Sequence, residues 1–314
     1  MSGISHGTEM AWVKGTAAAL HRSWNGEHRT YVTGAGRDYP VAPGYETIAR
    51  VVEVGDEVTG IRVDDLVMLD RPHAEYHLVN AATAPVVPLP AGTDPERAVF
   101  GILARVALGG VHDAAIKVGE TVVVSGLGTV GLLAAQQARL AGAAHVIGVD
   151  RYPLRIAAAR SLGVNGLHAA SGVDIAAEVR RLVGSTEGAD AAIEASGSYA
   201  GLHEAIRTLR VGGRVATVAS YHGDQPGLRL GEEYHRNRIT MISSMTVNGC
   251  PQRDHPAWTL DRLSTTARRL LADGQIRVDN LITHRIRFRD AAAAYRLIAD
   301  NAQTTIKVVL TYDD

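Results

Sequence analysis

The rhythm of apolar and polar positions changes twice along the chain. Up to about residue 104, short β-like runs ("TIARVVEVGDEV", "LVMLD", "AEYHLVN", "PVVPLP") alternate with turn signals at Gly55-Asp56 and Pro90-Ala91-Gly92. This alternation predicts a small, mostly antiparallel β domain. From about 105 to 245 the runs lengthen into strand, helix, strand, helix. "TVVVSG" and "HVIGVD" are continuous apolar runs, as parallel strands covered on both faces require. "VGLLAAQQARLAG" and "PLRIAAARSLG" are amphipathic helices that stop at Gly142 and Gly163. "DAAIEAS", "GRVATVAS" and "RITMISSM" give further strands, with "AGLHEAIRTLRVGG" as a helix among them. The pattern predicts a doubly wound α/β domain. From about 246 to 314 come a helix ("TLDRLSTTARRLLADG"), "LITHRIRF", a second helix ("DAAAAYRLIADN") and the strand "TIKVVLTY". This tail is expected to return to the first domain.

The 314 residues suit two domains, and 46% hydrophobic against 21% charged residues allows sizeable cores. A formal net charge of -1, with Lys and Arg dispersed, argues against a nucleic-acid or membrane-surface partner. The single cysteine, Cys250, excludes an internal disulfide and a cysteine zinc cluster. A polar N-terminus and the lack of a long uncharged apolar stretch lead us to expect a cytoplasmic protein.

The candidate chemistry starts at "GLGTVG". Gly126, Gly128 and Gly131 follow a strand and open a helix. The first permits a tight turn, the second lets a pyrophosphate approach the backbone, and the third lets helix and strand pack closely. Thr129 and Val130 begin the helix, whose free N–H groups favour phosphate. Asp150 ends the next strand, ~20 residues on, where an acid accepts hydrogen bonds from a ribose diol. It would repel a 2′-phosphate, which favours NAD(H) over NADP(H). Arg151 could pair with that phosphate or simply flank the adenine.

With these residues in place, the chain resembles the medium-chain dehydrogenase/reductase superfamily of alcohol and polyol dehydrogenases. "SGISHGTE" (2–9) is similar to its Cys-Gly-Ile-Cys-Gly-Thr-Asp segment and "PGYE" (43–46) to its Pro-Gly-His-Glu. "GLGTVG", "EASG" (194–197) and the tail also match in order. The resemblance implies a GroES-like β-rich catalytic domain, a Rossmann domain and a nicotinamide cofactor in the cleft between them. It places Ala195 and Gly197 on the adenosine side and Val218, Ala219 and Ser220 beside the nicotinamide. Ser243 and Met245 would hold its carboxamide, and Lys307 and His6 would contact phosphate.

The chain also departs from that family. The zinc-ligand positions are occupied by Ser5, Tyr45 and an aliphatic residue near Ile102 or Leu103, all poor partners for zinc. The four-cysteine lobe is absent, so no metal is expected. His73, His77 and Glu46 could form a different site, although hydrogen-bonded or solvated β-domain residues is the plainer reading. The resemblance further implies ~25 residues of first strands before the "SGIS" segment. That segment starts here at Ser2, so either those strands are lacking or the start is placed late.

Without a metal, a hydrogen-bond donor must stabilise charge on the substrate oxygen. Tyr45 leads, and as a base it would need its pKa lowered by a neighbour among Glu46, His6 and Ser5. Thr8 matches the hydroxyl that relays the proton in zinc members. Tyr234 and His235 are further candidates, and Trp12, Trp24 and Trp258 could shape the pocket. Three functions remain open. The first is a zinc-independent NAD(H) oxidoreductase acting on a secondary alcohol or ketone of a small polar metabolite, such as a cyclitol or sugar. The second is a zinc-free quinone or enoyl reductase using NADPH. The third is a nucleotide-binding protein without catalysis. "RITMISSMTV" reads as an exposed edge strand, which predicts a homodimer.

Overall fold

The computed structural model describes residues 1–34, 36–223, 226–245 and 258–312. Cys250 and the segment 246–257 therefore lie outside the described residues. The chain forms two units, Met1–Phe100 with Val278–Asp314, and Gly101–Arg277.

In the first unit the short apolar runs become β1 (Ser2–Ile4), β2 (Arg22–Asn25), β3 (Thr30–Thr33), β4 (Glu46–Arg50), β5 (Leu66–Leu69) and β6 (Val86–Pro88). Near the chain end lie β13 (Ile282–Arg287) and β14 (Lys307–Thr311). One mixed sheet runs β13-β14-β1-β4-β5-β6, antiparallel except for the parallel β13–β14 pair. The C-terminal strand thus flanks the N-terminal one, with Gly3 opposite Val309. A core of Ile4, Met10, Val308, Leu310, Ala294 and Ile298 joins the sheet to the helices Thr8–Val13 and Ala291–Asp300. β2 and β3 make a separate hairpin in which Trp24 and Tyr31 meet edge to face and are both about half exposed. The expected strand over "AEYHLVN" does not form. Tyr76 and Leu78, which would share one strand face, lie in solvent there, so that face has no core to join.

The second unit carries β7 (Thr121–Ser125), β8 (His145–Asp150), β9 (Asn165–His168), β10 (Ala189–Glu194), β11 (Leu209–Thr217) and β12 (Thr240–Ser243). They form one parallel sheet in the order β12-β11-β10-β7-β8-β9. The order reverses between β7 and β10, the switch point where doubly wound sheets bind ligands at their carboxyl ends. Val123, Ile147, Val149, Ala192 and Val215 are buried in the strands and pack with Ile206 and Leu202 of the helix Tyr199–Thr208.

The boundaries differ from those expected at 104/105 and 245/246. The helix Leu260–Ala272 packs on the helix Gly101–Asp113 of the nucleotide-type unit, burying Leu263, Ala267 and Leu271. Only the segment from Val278 onward belongs to the β unit. No helix among the described residues is long and apolar enough to cross a membrane.

Candidate active site

In the second unit the glycine turn is built as its sequence requires. Gly126 has φ +87, and a Cβ there would stand 2.5 Å from the Ser196 nitrogen. A Cβ on Gly131 would reach the Gly126 carbonyl oxygen at 1.8 Å. Gly128 caps the helix Thr129–Leu140 without a side-chain hydrogen bond, and a Cβ on it would meet nothing within 4 Å. The helix therefore opens onto free space with donor N–H groups, which suits a diphosphate.

Asp150 closes β8 beside this turn. Its carboxylate accepts hydrogen bonds from the Leu127 amide (2.7 Å) and the Tyr152 amide (2.9 Å), so it braces the turn. Arg155 lies 3.6 Å from it. The guanidinium groups of Arg151 and Arg155 each lie 4.8 Å from the Tyr152 ring centre. Ala195 and Gly197 follow β10, Val218, Ala219 and Ser220 follow β11, and Ser243 and Met245 end or follow β12. Every nucleotide-unit residue assigned to the cofactor thus sits at the carboxyl edge of one sheet.

The first unit brings three hydroxyls together. The Tyr45 hydroxyl donates to Ser5 Oγ at 2.6 Å, and the Thr8 hydroxyl also bonds Tyr45. Ser5 is held in turn by its neighbours, its amide donating to Glu9 Oε1 at 2.7 Å and its carbonyl accepting from the Glu9 amide at 3.0 Å. Burial first, and then the charge of Glu46, push the Tyr45 phenol above its ordinary value, against the hydrogen bonds from Ser5 and Thr8. The expectation of a lowered phenol pKa is corrected: burial and the charge of Glu46 keep this phenol protonated.

Two further assignments change. Lys307 is not a solvent-facing phosphate contact. It is fully buried, with Nζ 2.7 Å from Glu46 Oε2 and 3.2 Å from the Ile4 carbonyl oxygen. The reason is the β14–β1–β4 packing, which encloses its stem; a Cβ on Gly3 would lie 2.6 Å from the ammonium. Glu46 consequently serves Lys307 instead of bonding Tyr45. Tyr234, a candidate from sequence, packs against the nucleotide-unit core, and His235 is exposed.

Sequence reasoning passed over a buried polar network behind Ser5. His73 Nε2 lies 2.9 Å from Glu9 Oε2, and its Nδ1 lies 2.7 Å from Ser2 Oγ, which in turn meets Tyr312 Oη at 2.7 Å. Tyr295 donates to the same Glu9 oxygen. The side chains of His73 and Glu9 are only 3% and 2% exposed, so His73 is a structural partner and not a solvated residue. The available signal was an acid at the end of "SGISHGTE"; its partners lie 64 and 286 residues away.

The zinc positions that the resemblance implies in the first unit carry the Ser5 and Tyr45 hydroxyls, bonded to each other. Such a set does not fit zinc, which takes thiolate, imidazole or carboxylate. Among the described residues one trio, His203, Glu232 and Glu233, brings its ligand atoms within 4.8 Å of one another. Arginines already occupy it: Arg229 Nη2 is 2.6 Å from His203 Nε2, and Arg207 Nε is 3.5 Å from Glu233.

A family model described as "Zinc-binding dehydrogenase" matches residues 129–265. The chain is 32% identical over 316 residues to the D-guloside 3-dehydrogenase of Escherichia coli K12, covering 98% of this chain and 89% of that protein. It belongs to the medium-chain dehydrogenase/reductase family. This member is thereby an NAD(P)-dependent oxidoreductase with a small-molecule substrate. Its fold is shared with galactitol-1-phosphate dehydrogenase of Escherichia coli (TM-score 0.75, 23% identity, 98% of this chain and 90% of that one). It is also shared with a Sinorhizobium meliloti 1021 protein described as a zinc-binding dehydrogenase and bound to NADP (TM-score 0.74, 22% identity, 98% and 88%). This medium-chain dehydrogenase/reductase carries a glycine turn after β7, at the start of the matched segment 129–265.

Proposed function

We propose that this protein interconverts a secondary alcohol and its ketone on a polyhydroxylated substrate, a sugar, glycoside or cyclitol, using NAD(H) and without zinc. The hydroxyl cluster of Tyr45, Ser5 and Thr8 carries the reading, because it offers a held proton where relatives place a metal. Relatives acting on D-guloside and galactitol 1-phosphate support the substrate class. When bound, the nicotinamide coenzyme would supply or take the hydride. In reduction Tyr45 donates its proton to the oxygen that becomes the alcohol, while Ser5 and Thr8 bond the phenolate left behind. A solvent proton then reaches Tyr45 through the exposed Thr8 hydroxyl, and oxidation runs the same steps in reverse, releasing a proton to solvent. Asp150 favours NAD(H), since a buried carboxylate bonded to the turn leaves a 2′-phosphate facing like charge.

The test is steady-state turnover on a panel of sugar ketones and polyols with NADH or NAD⁺. Tyr45→Phe is expected to lower kcat about 100-fold or more with cofactor binding retained. Prolonged chelation should leave the wild-type rate unchanged. Loss of activity on chelation that added zinc restores, or full activity in Tyr45→Phe, refutes this mechanism.

A further inference from the structure

Glu194 ends β10 at the switch point, and none of the steps above uses it. Its side chain is fully buried, and among the described residues no cation pairs with it. Four donors from two different turns converge on the one carboxylate. From the turn after β10 come the Ser196 amide (2.8 Å), the Ser196 hydroxyl and the Gly197 amide (3.3 Å). From the turn after β11 comes the Tyr221 hydroxyl. The Glu194 backbone carbonyl adds two bonds to that second turn, from the Val218 amide (2.8 Å) and the Ala219 amide (3.3 Å).

The contacts around this hub are tight. A Cβ on Gly197 would lie 3.2 Å from the Ser220 carbonyl oxygen, so the two turns touch. Ser196 abuts the glycine turn, standing where a Cβ on Gly126 would fall. Tyr221 is fixed at both ends, by its hydroxyl on Glu194 and by its ring against Tyr199, 5.2 Å away and tilted 31°. Tyr199 opens the helix that begins just after Gly197. A buried carboxylate without a cation costs stability unless hydrogen bonds replace its water. Here the replacement comes from the turns proposed to carry the adenosine (Ala195, Gly197) and the nicotinamide (Val218, Ala219, Ser220).

We infer that Glu194 and Tyr221 are positioning residues for the nicotinamide coenzyme. Glu194 shapes the adenosine-side turn and, through Tyr221, ties the nicotinamide-side turn to it. The inference rests on the cofactor placement under the proposed function. It separates the two turns, because Tyr221 belongs to the second turn alone and ties it to Glu194 by its hydroxyl, while Glu194 accepts from both.

The test is calorimetric titration of the full-length protein with NADH and with ADP-ribose, which lacks the nicotinamide, alongside thermal melts. Tyr221→Phe is expected to weaken NADH about fivefold or more while ADP-ribose binds within about twofold of wild type. Glu194→Gln, which turns an acceptor into a donor among donors, is expected to weaken both ligands. The selective loss in Tyr221→Phe supports the inference, and a mere fall in melting temperature would not produce it. Unchanged NADH affinity in Tyr221→Phe, or equal loss for both ligands, overturns it. If Glu194→Gln does not fold, Tyr221→Phe, which removes one hydroxyl, decides alone. Wild-type protein that takes up neither ligand overturns the cofactor placement together with this inference; normal uptake by the wild type with an unaffected Tyr221→Phe overturns this inference only.

Discussion

At Tyr45 a single proton is kept in place by burial and by two carboxylates, Glu46 and Glu9, that disfavour the phenolate. Glu46 is itself perturbed. Burial lifts its pKa from 4.5 to about 7, although the attraction of Lys307 opposes the rise. The folded chain therefore binds this proton more tightly than the unfolded chain. The stability it contributes is complete below about pH 4.5 and is lost as pH climbs through about 7. Glu46→Gln is expected to remove that slope from a melting-temperature profile over this range. A slope equal to wild type would show that another group titrates there. Lys307→Met, by contrast, leaves a buried carboxylate unpaired and should cost about 3–5 kcal/mol in denaturant unfolding. Asp150→Ala should relax the preference for NADH over NADPH by about 1–2 kcal/mol, read as the ratio of kcat/KM values. An unchanged ratio would remove Asp150 as the reader of the ribose. The sequence made Asp150 and Tyr45 visible because each closes a local motif. It hid the links of Glu9 to His73 and Tyr295, because a buried acid declares its partners only after distant segments have packed.

At the scale of elements, the three glycines of the turn do different work, and substitution separates them. Gly131→Ala drives a Cβ into the Gly126 carbonyl and should lower stability by about 1–3 kcal/mol, together with cofactor binding. Gly128→Ala meets open space, so the protein should melt as wild type does yet bind NADH at least about tenfold more weakly, the Cβ standing where the diphosphate approaches. Normal binding by Gly128→Ala would place the phosphates elsewhere. Much of the nucleotide-type unit was legible because the central strands β7, β8 and β10 are buried along their length, whereas the helices Gly101–Asp113 and Ile175–Val183 and the partly exposed β9 were not singled out. Gly142, Gly163 and Gly184 stop their helices in left-handed conformations, the first two of them at the expected places. The β unit was less legible. Its strands are three to six residues long, and "AEYHLVN" carries strand-forming residues without a core to receive them.

On the scale of the whole molecule, β12 is an edge strand of the parallel sheet, and Met241 on it is 38% exposed. Among the described residues β12 pairs with β11 alone, and an apolar edge invites pairing with its own copy. We expect a dimer in sedimentation analysis, and Met241→Lys should shift the population toward monomer; a wild-type monomer at micromolar concentration would exclude that arrangement. The first unit needs both ends of the chain, since β1 is sandwiched between β4 and β14. Sequence alone determined the glycine turn, the acid after it and much of the strand–helix alternation of the nucleotide-type unit. These are set by local geometry and by residue type, which neighbours a few positions away suffice to express. Only the tertiary structure decided that Lys307 turns inward to Glu46, that the helix Leu260–Ala272 joins the nucleotide-type unit, and that Glu194 gathers two turns. Those outcomes depend on which distant surfaces exclude water together, and a buried charge takes whatever partner that enclosure leaves within reach.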